Sequence, residues 1–370
     1  VRILRVSDAQ ASDYFGGSVA ISGDTVVVGA DLEDGGAGDP LGSSGAAYVF
    51  TAQGSSWQET KIGASNGQAG DVLAAVAVSG DTVVVGAPLE DGVGESITDA
   101  GAAYELTRNR GGADAWGEVQ ILRASDAQAE DRFGRAVAVS FDTVVVGAYW
   151  EDGGPGIPTK TNAEGAAYVF ERNRGGADAW GEVAILHGSF PQAGDWFGCS
   201  VAVSIDTAVV GTQSAGWAYV FERNQGGAEA WGAVRILSAS DGQTGDQFGS
   251  SVAIDGDTVV VGAPSEDGGA GDPLPGSGAA YLFERNRWGA DRWGEIAILR
   301  AGDRQAEDHF GSAVAIDSDR VLVGAPTEDG GAGDQRSDTG AAYLFARNHG
   351  GADSWNEVTS LRPFAAESSD

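Results

Sequence analysis

Apolar and polar positions along the chain change over in short bursts, and no stretch sustains helical spacing. Runs such as Thr25-Val26-Val27-Val28-Gly29-Ala30 and Thr258-Val259-Val260-Val261-Gly262-Ala263 are continuous and β-branched, each preceded by a tight turn at Gly23-Asp24 or Gly256-Asp257. A short unbroken apolar run bounded by turn residues predicts a strand buried on both faces. Gly249-Ser250-Ser251-Val252-Ala253-Ile254 alternates, and Gly-Ala-Ala-Tyr-Val-Phe (165–170) and Glu182-Val183-Ala184-Ile185-Leu186 add two further β-forming segments. Four such segments follow one another and the sequence then begins again.

The restart is regular. Gln followed three residues later by Asp occurs at Gln10/Asp13, Gln68/Asp71, Gln128/Asp131, Gln192/Asp195, Gln243/Asp246 and Gln305/Asp308. Phe-Gly comes just after five of the six, at Phe15, Phe133, Phe197, Phe248 and Phe310; the second unit has Leu73-Ala74 instead. The repeats span about 10–67, 68–127, 128–191, 192–242, 243–304 and 305–361, within one domain of residues 1–370 whose tail is 362–370. A four-stranded unit of this size cannot bury both faces alone, but radial repetition covers them. The expectation is an all-β chain, a β-propeller of six four-stranded antiparallel blades.

Phe-Gly followed about a dozen residues later by Gly-Ala-Pro (86–88, 262–264, 324–326) resembles the FG-GAP repeat, which builds the propeller of integrin α chains and of many bacterial surface or secreted proteins. The resemblance covers residues 1 to about 361. It implies a secreted, periplasmic or cell-surface module that binds a protein or glycan through its loop face. Seven blades are usual in that family, against six here. The family's calcium loop, Asp-x-Asp-x-Asp-Gly between the first two strands, is reduced here to turns such as Ser22-Gly23-Asp24-Thr25. The ends leave one strand to spare. Val1-Arg2-Ile3-Leu4 matches the fourth-strand segment Val234-Arg235-Ile236-Leu237, yet the last unit has its own at Trp355–Leu361.

Charge narrows the partners. With 54 Asp and Glu against 22 Lys and Arg, the formal net charge is −32. That excludes binding to nucleic-acid phosphates and repels anionic membrane surfaces. No apolar run is long enough to span a bilayer. A single cysteine makes neither an internal disulfide nor a cysteine zinc site. Much of the acid lies in the loops between second and third strands. Antiparallel pairing places these on the same face as the connections between blades. Glu33, Asp34, Asp39, Glu266, Asp267, Asp272, Glu328, Asp329 and Asp334 offer the hard oxygens that calcium prefers, and calcium is the cofactor these loops suit.

The fourth repeat breaks the pattern, its loop shrinking to Thr212-Gln213-Ser214-Ala215-Gly216 with no acid. Trp217 follows that loop, Trp150 begins the long loop of the third repeat, and Trp196 precedes Phe197; all three lie outside the repeat's own tryptophan position. Aromatics beside a gap can anchor a partner, so these three are the candidate ligand-binding residues. Residues present in every unit serve the blade instead. On this reading Gln10, Asp13, Phe15, Gln128, Asp131, Phe133, Gln243, Asp246, Phe248, Gln305, Asp308 and Phe310 are structural, with the Asp accepting backbone N–H bonds. Enzyme signatures do not stand out: His187, His309 and His349 are scattered, Cys199 occupies a Gly or Ser position, and no Gly-x-Ser-x-Gly stands out as a nucleophile turn. The expectation is therefore a binding module and not an enzyme. The alternatives are a hydrolase or lyase using the central channel, or a purely structural domain of a larger surface protein.

Overall fold

The structure is a computed structural model that describes residues 3–10, 12–34, 42–92, 94, 96–153, 163–268, 274–287, 289–329 and 339–363. It is all β. Six blades of four antiparallel strands form a propeller, and no helix occurs among the described residues. Blade 1 comprises β1 (Phe15–Ser22), β2 (Thr25–Ala30), β3 (Ala46–Gln53) and β4 (Ser56–Ile62). Blade 2 comprises β5 (Val76–Ser79), β6 (Thr82–Ala87), β7 (Ala102–Arg108) and β8 (Trp116–Leu122). Blade 3 comprises β9 (Phe133–Ser140), β10 (Thr143–Ala148), β11 (Ala166–Arg172) and β12 (Trp180–Leu186). Blade 4 comprises β13 (Ser200–Ser204), β14 (Thr207–Gly211), β15 (Ala218–Arg223) and β16 (Trp231–Leu237). Blade 5 comprises β17 (Ser251–Asp255), β18 (Thr258–Ala263), β19 (Ala279–Glu284) and β20 (Gly294–Leu299). Blade 6 comprises β21 (Ala313–Asp317), β22 (Arg320–Ala325), β23 (Ala341–Arg347) and β24 (Trp355–Leu361).

Within each blade, strands pair in sequence order. This answers the question of the spare strand. The C-terminal β24 is the fourth strand of its own blade, with Ala342 opposite Leu361. Ile3 and Leu4 belong to no strand, and Leu4 packs on the blade 1 cluster of Val6, Val28, Ala30 and Tyr48. By compactness the chain divides into two units, Val1–Gly198 and Cys199–Asp370.

The second strands carry the core. β6 and β10 are buried at every position. Their Thr-Val-Val-Val-Gly-Ala sequence suits that place, because β-branched side chains pack well on both sides of a pleated surface. In the first unit, Val84 of β6 joins Val144 and Val146 of β10, Tyr168 and Trp180 in one apolar cluster. The second unit repeats this with Val209, Val259, Val261, Tyr281 and Trp293.

The two glycine motifs meet where blades adjoin. A Cβ on Gly86 would overlap the carbonyl oxygen of Gly134, and one on Gly262 would overlap that of Gly311. The Gly of Phe-Gly in one blade thus seats on the Gly of Gly-Ala-Pro in the blade before it, an approach only hydrogen side chains permit. The adjacent Phe rings stand edge-on to the third strand of their own blade. Phe133 lies 5.3 Å from Tyr168, and Phe248 lies 5.4 Å from Tyr281.

The Gln-x-x-Asp pairs close a turn before each first strand. In all six, the Asp carboxylate accepts the backbone N–H of the Gln, at 2.6 to 2.8 Å. An Asp that satisfies a backbone donor in this way is a local turn device, which explains its presence in every repeat.

Candidate functional site

The loop glutamates are not surface ligands. Glu33, Glu266 and Glu328 are fully buried. Glu266 pairs with the Arg300 guanidinium at 3.0 Å, Glu328 with Arg362 at 3.2 Å and Glu33 with the Lys61 ammonium at 2.7 Å. The same three cations also hold Asp241, Asp303 and Asp8 of the connections, which accept the hydroxyls of Tyr281, Tyr343 and Tyr48 in turn. Blade 2 uses Glu90 and Arg123, with Asn66 in the Asp position, accepting the Tyr104 hydroxyl. A buried carboxylate survives only when paired, and these are. Asp34, Asp267 and Asp329 accept the side-chain amides of Gln10, Gln243 and Gln305 at 3.0, 2.9 and 2.6 Å. The described carboxylates nominated for calcium are thus engaged by the protein's own donors. Asp39, Asp272 and Asp334 lie outside the described residues.

Blades 3 and 4 depart from this. The position of Arg300 reads His187 after β12 and Ser238 after β16. In blade 3 the acids remain: Asp126 accepts the Tyr168 hydroxyl at 2.9 Å, and Glu151 is buried. Burial, together with Glu151, Asp152 and Asp126 nearby, pushes Asp131 up to about 7.

A second departure runs through the residue before Phe-Gly. Tyr14, Val72, Arg132, Trp196, Gln247 and His309 occupy this position, and all six have left-handed backbones with φ between 53° and 59°. Six different non-glycine side chains are held where glycine would be easiest. A conformation kept in every blade belongs to the entry of the first strand, and only the side chains it presents differ between blades.

In blade 3 this column meets another break. Tyr149-Trp150 stands where blades 2, 5 and 6 have Pro88-Leu89, Pro264-Ser265 and Pro326-Thr327. The Arg132 guanidinium stacks 4.1 Å over the Trp150 ring and donates to the Tyr149 hydroxyl at 2.7 Å. Tyr149 stands edge-on to Trp150 at 5.9 Å and to Trp196 at 6.2 Å. Stacking of this kind contributes about 0.5–2 kcal/mol, enough to hold the indole in one orientation. The Ala163 carbonyl accepts the backbone N–H groups of Gly194 and Trp196 at 3.2 and 3.3 Å, which ties down the segment that carries the second indole.

Between these walls lies a cavity of about 360 Å³, lined by Ala129, Glu130, Trp150, Asp152, Ala163, Gly194 and Trp196. Glu130 is exposed at its rim, and Asp152 accepts the Gln128 amide at 3.4 Å. The structure therefore brings Trp150 and Trp196 together. It places Trp217 elsewhere, on a separate cavity in the second unit.

Six segments match the sequence profile described as the FG-GAP repeat: residues 1–50, 57–106, 116–170, 180–221, 231–283 and 293–345. The chain belongs to the FG-GAP repeat family. No curated protein sequence matches it. Among solved structures, this FG-GAP propeller is similar to the periplasmic gluconolactonase of Pseudomonas aeruginosa, with 14% identity and a TM-score of 0.54 over 93% of this chain and 84% of that one. A Bacteroides uniformis protein provisionally named 6-phosphogluconolactonase matches with 10% identity and a TM-score of 0.55, over 94% and 85% of the two chains. The Pan2 WD40 domain of Neurospora crassa matches with 9% identity and a TM-score of 0.51, over 92% and 78%. At such identities the likeness is one of fold.

One expectation is corrected by these neighbours. The absence of catalytic motifs suggested that the chain is not an enzyme, yet two of the solved propellers are named as lactonases. A propeller gathers its site from separate blades, so catalytic side chains need share no local spacing, and a motif search passes over them. The sequence reading also missed Glu130, Arg132, Tyr149 and Asp152. Only Tyr149 carried a signal in the repeat alignment, standing where blades 2, 5 and 6 have Pro; the Arg132 position differs in every blade, Glu130 recurs as Glu307, and Asp152 is matched by Asp34, Asp91, Asp267 and Asp329.

Proposed function

We propose that this FG-GAP propeller is a hydrolase of small cyclic esters of the sugar-lactone class, acting in the Trp150–Trp196 cavity. The observation that carries this reading is the cavity itself: about 360 Å³, two indole walls and two carboxylates. Its volume suits one ring-sized ligand. The indoles take the C–H faces of a sugar-derived ring, and carboxylates accept its hydroxyl protons. Glu130 serves as general base. It takes a proton from water as the water oxygen bonds to the lactone carbonyl carbon, and returns that proton to the ring oxygen as the ring C–O bond breaks, leaving a hydroxy acid that ionises to its carboxylate. Asp152, anchored by Gln128, holds a substrate hydroxyl. The substrate is neutral and the product anionic, so the field of a chain at −32 favours product release. The lactonase names of two solved propellers support this choice of chemistry. A place outside the cytoplasm accords with it, since one of the two is named as periplasmic.

The test is acid release from glucono-1,5-lactone, followed by pH-stat above the spontaneous rate. Glu130→Gln should lower the enzymatic rate by about 10²–10⁴-fold, the usual worth of a general base. A wild-type rate equal to the spontaneous one would overturn the reading. Binding of a lactone analogue without acid release would replace it with recognition of a glycan or protein, as the resemblance to integrin α chains implies.

A further inference from the structure

We infer that blade 4 carries a second binding site, independent of the lactone reading, for a neutral saccharide ring stacked on Trp217. The residue in this position of the repeat is Ala46, Ala102, Ala166, Ala279 or Ala341 in the other five blades, and the first four of these are fully buried. A Trp there is tolerated because the space above it is open. The acidic loop of the other five blades is reduced here in sequence to residues 212–216, and the position of Arg123, Arg300 and Arg362 reads Ser238. The result is a cavity of about 270 Å³ in the second unit, with Ser214, Trp217, Ser238, Gln243, Thr244 and Gln247 in its lining.

This lining differs in kind from the rest of the molecule. The loop acid and its cation are missing together, which leaves hydroxyls and amides beside an indole, with one carboxylate in the lining. That carboxylate, of Asp246, is buried and engaged by the Gln243 N–H at 2.6 Å. Hydroxyl and amide groups both donate and accept, as a sugar's hydroxyls require, and the indole supplies the apolar face.

Trp217 is also fixed in place before any ligand arrives. The Thr212 N–H and hydroxyl both donate to the Trp217 carbonyl, at 3.0 and 2.8 Å, and the Trp217 N–H donates to the same hydroxyl at 3.1 Å. Thr212 stands where blade 5 has Ala263, so this clamp is particular to blade 4. Tyr219 meets the indole edge-on at 6.3 Å. A platform ordered in advance loses little freedom on binding.

The experiment is titration of the whole chain with maltose, cellobiose and N,N′-diacetylchitobiose at millimolar concentration, read by ligand-observed saturation-transfer NMR. At least one disaccharide should bind. Trp217→Ala should weaken that binding about tenfold or more, and Trp217→Phe should retain most of it. Ser238→Arg, which returns a cation to the cavity, should abolish binding without touching Trp217, and so reads the site even if Trp217→Ala folds poorly. Trp150→Ala should leave this binding intact. The inference is overturned if none of the three sugars binds the wild type, if Trp217→Ala and Ser238→Arg bind undiminished, or if Trp150→Ala alone abolishes binding.

Discussion

Blades 4 and 5 share one strand plan and differ in what lies above it. In blade 5, Arg300 stands between Glu266 and Asp241, Asp241 holds Tyr281, and Ala279 is sealed beneath. In blade 4, the cation is Ser238, the loop carries no acid, the connector position of Asp241 reads Phe190, and the sealed Ala is Trp217. The strands register alike, with Val209 opposite Val220 in one and Val260 opposite Leu282 in the other. An ion network is therefore dispensable to the blade as a fold. Where it is kept it seals a surface, and where it is dropped a cavity opens.

The largest effect should come from breaking the network where it exists. Arg300→Met leaves Glu266 buried without its cation. It should cost about 2–4 kcal/mol in urea unfolding, below the value for a fully buried pair because Arg300 keeps contact with solvent. Ser238→Met, at the same position in blade 4, should change stability by under about 0.5 kcal/mol. Equal losses would dissolve the contrast.

A smaller effect follows from pH. Asp131 is pushed up to about 7 and Asp308 up to about 6, both by burial first and neighbouring carboxylates second. A carboxyl raised in the folded state keeps its proton there after the unfolded chain has lost it. The folded protein then binds more protons between the ordinary aspartate range and about 7, and stability falls as pH rises through that window. The melting temperature should thus be higher at pH 5 than at pH 7.5. Asp131→Asn keeps an oxygen for the Gln128 N–H and removes one titration, so the slope should flatten. An unchanged slope would show that Asp131 ionises as an ordinary aspartate.

The fold was legible from sequence because its causes are local and repeated. Phe-Gly, Gly-Ala-Pro, the β-branched runs and the Gln-x-x-Asp turns each act within a blade or between adjacent blades, and copying made them visible. The burial of Glu266 was not legible, since it depends on an arginine 34 residues downstream. In blade 1 the matching cation, Lys61, sits two residues earlier in the strand plan than Arg123 does in blade 2, so a column alignment hides it. The candidate sites were half legible. Trp150, Trp196 and Trp217 stood out as breaks in a pattern, but which two share a cavity depends on how the long loop of blade 3 meets the segment around Gly194. Arg132 was overlooked because it looks ordinary alone and matters through Tyr149.

The central claim is that the repeat tryptophans hold the blades and that the ligand-binding tryptophans lie where the repeat breaks. Its most direct test uses 5-fluorotryptophan in all ten tryptophans, six of which (57, 116, 180, 231, 293 and 355) occupy the repeat position. Fluorine NMR would follow titration first with gluconolactam, a non-hydrolysable lactone analogue, and then with the disaccharides above. The lactam should shift the Trp150 and Trp196 signals, a disaccharide should shift that of Trp217, and the six repeat signals should stay in place. Movement confined to the repeat tryptophans, or no movement at all, would contradict the account.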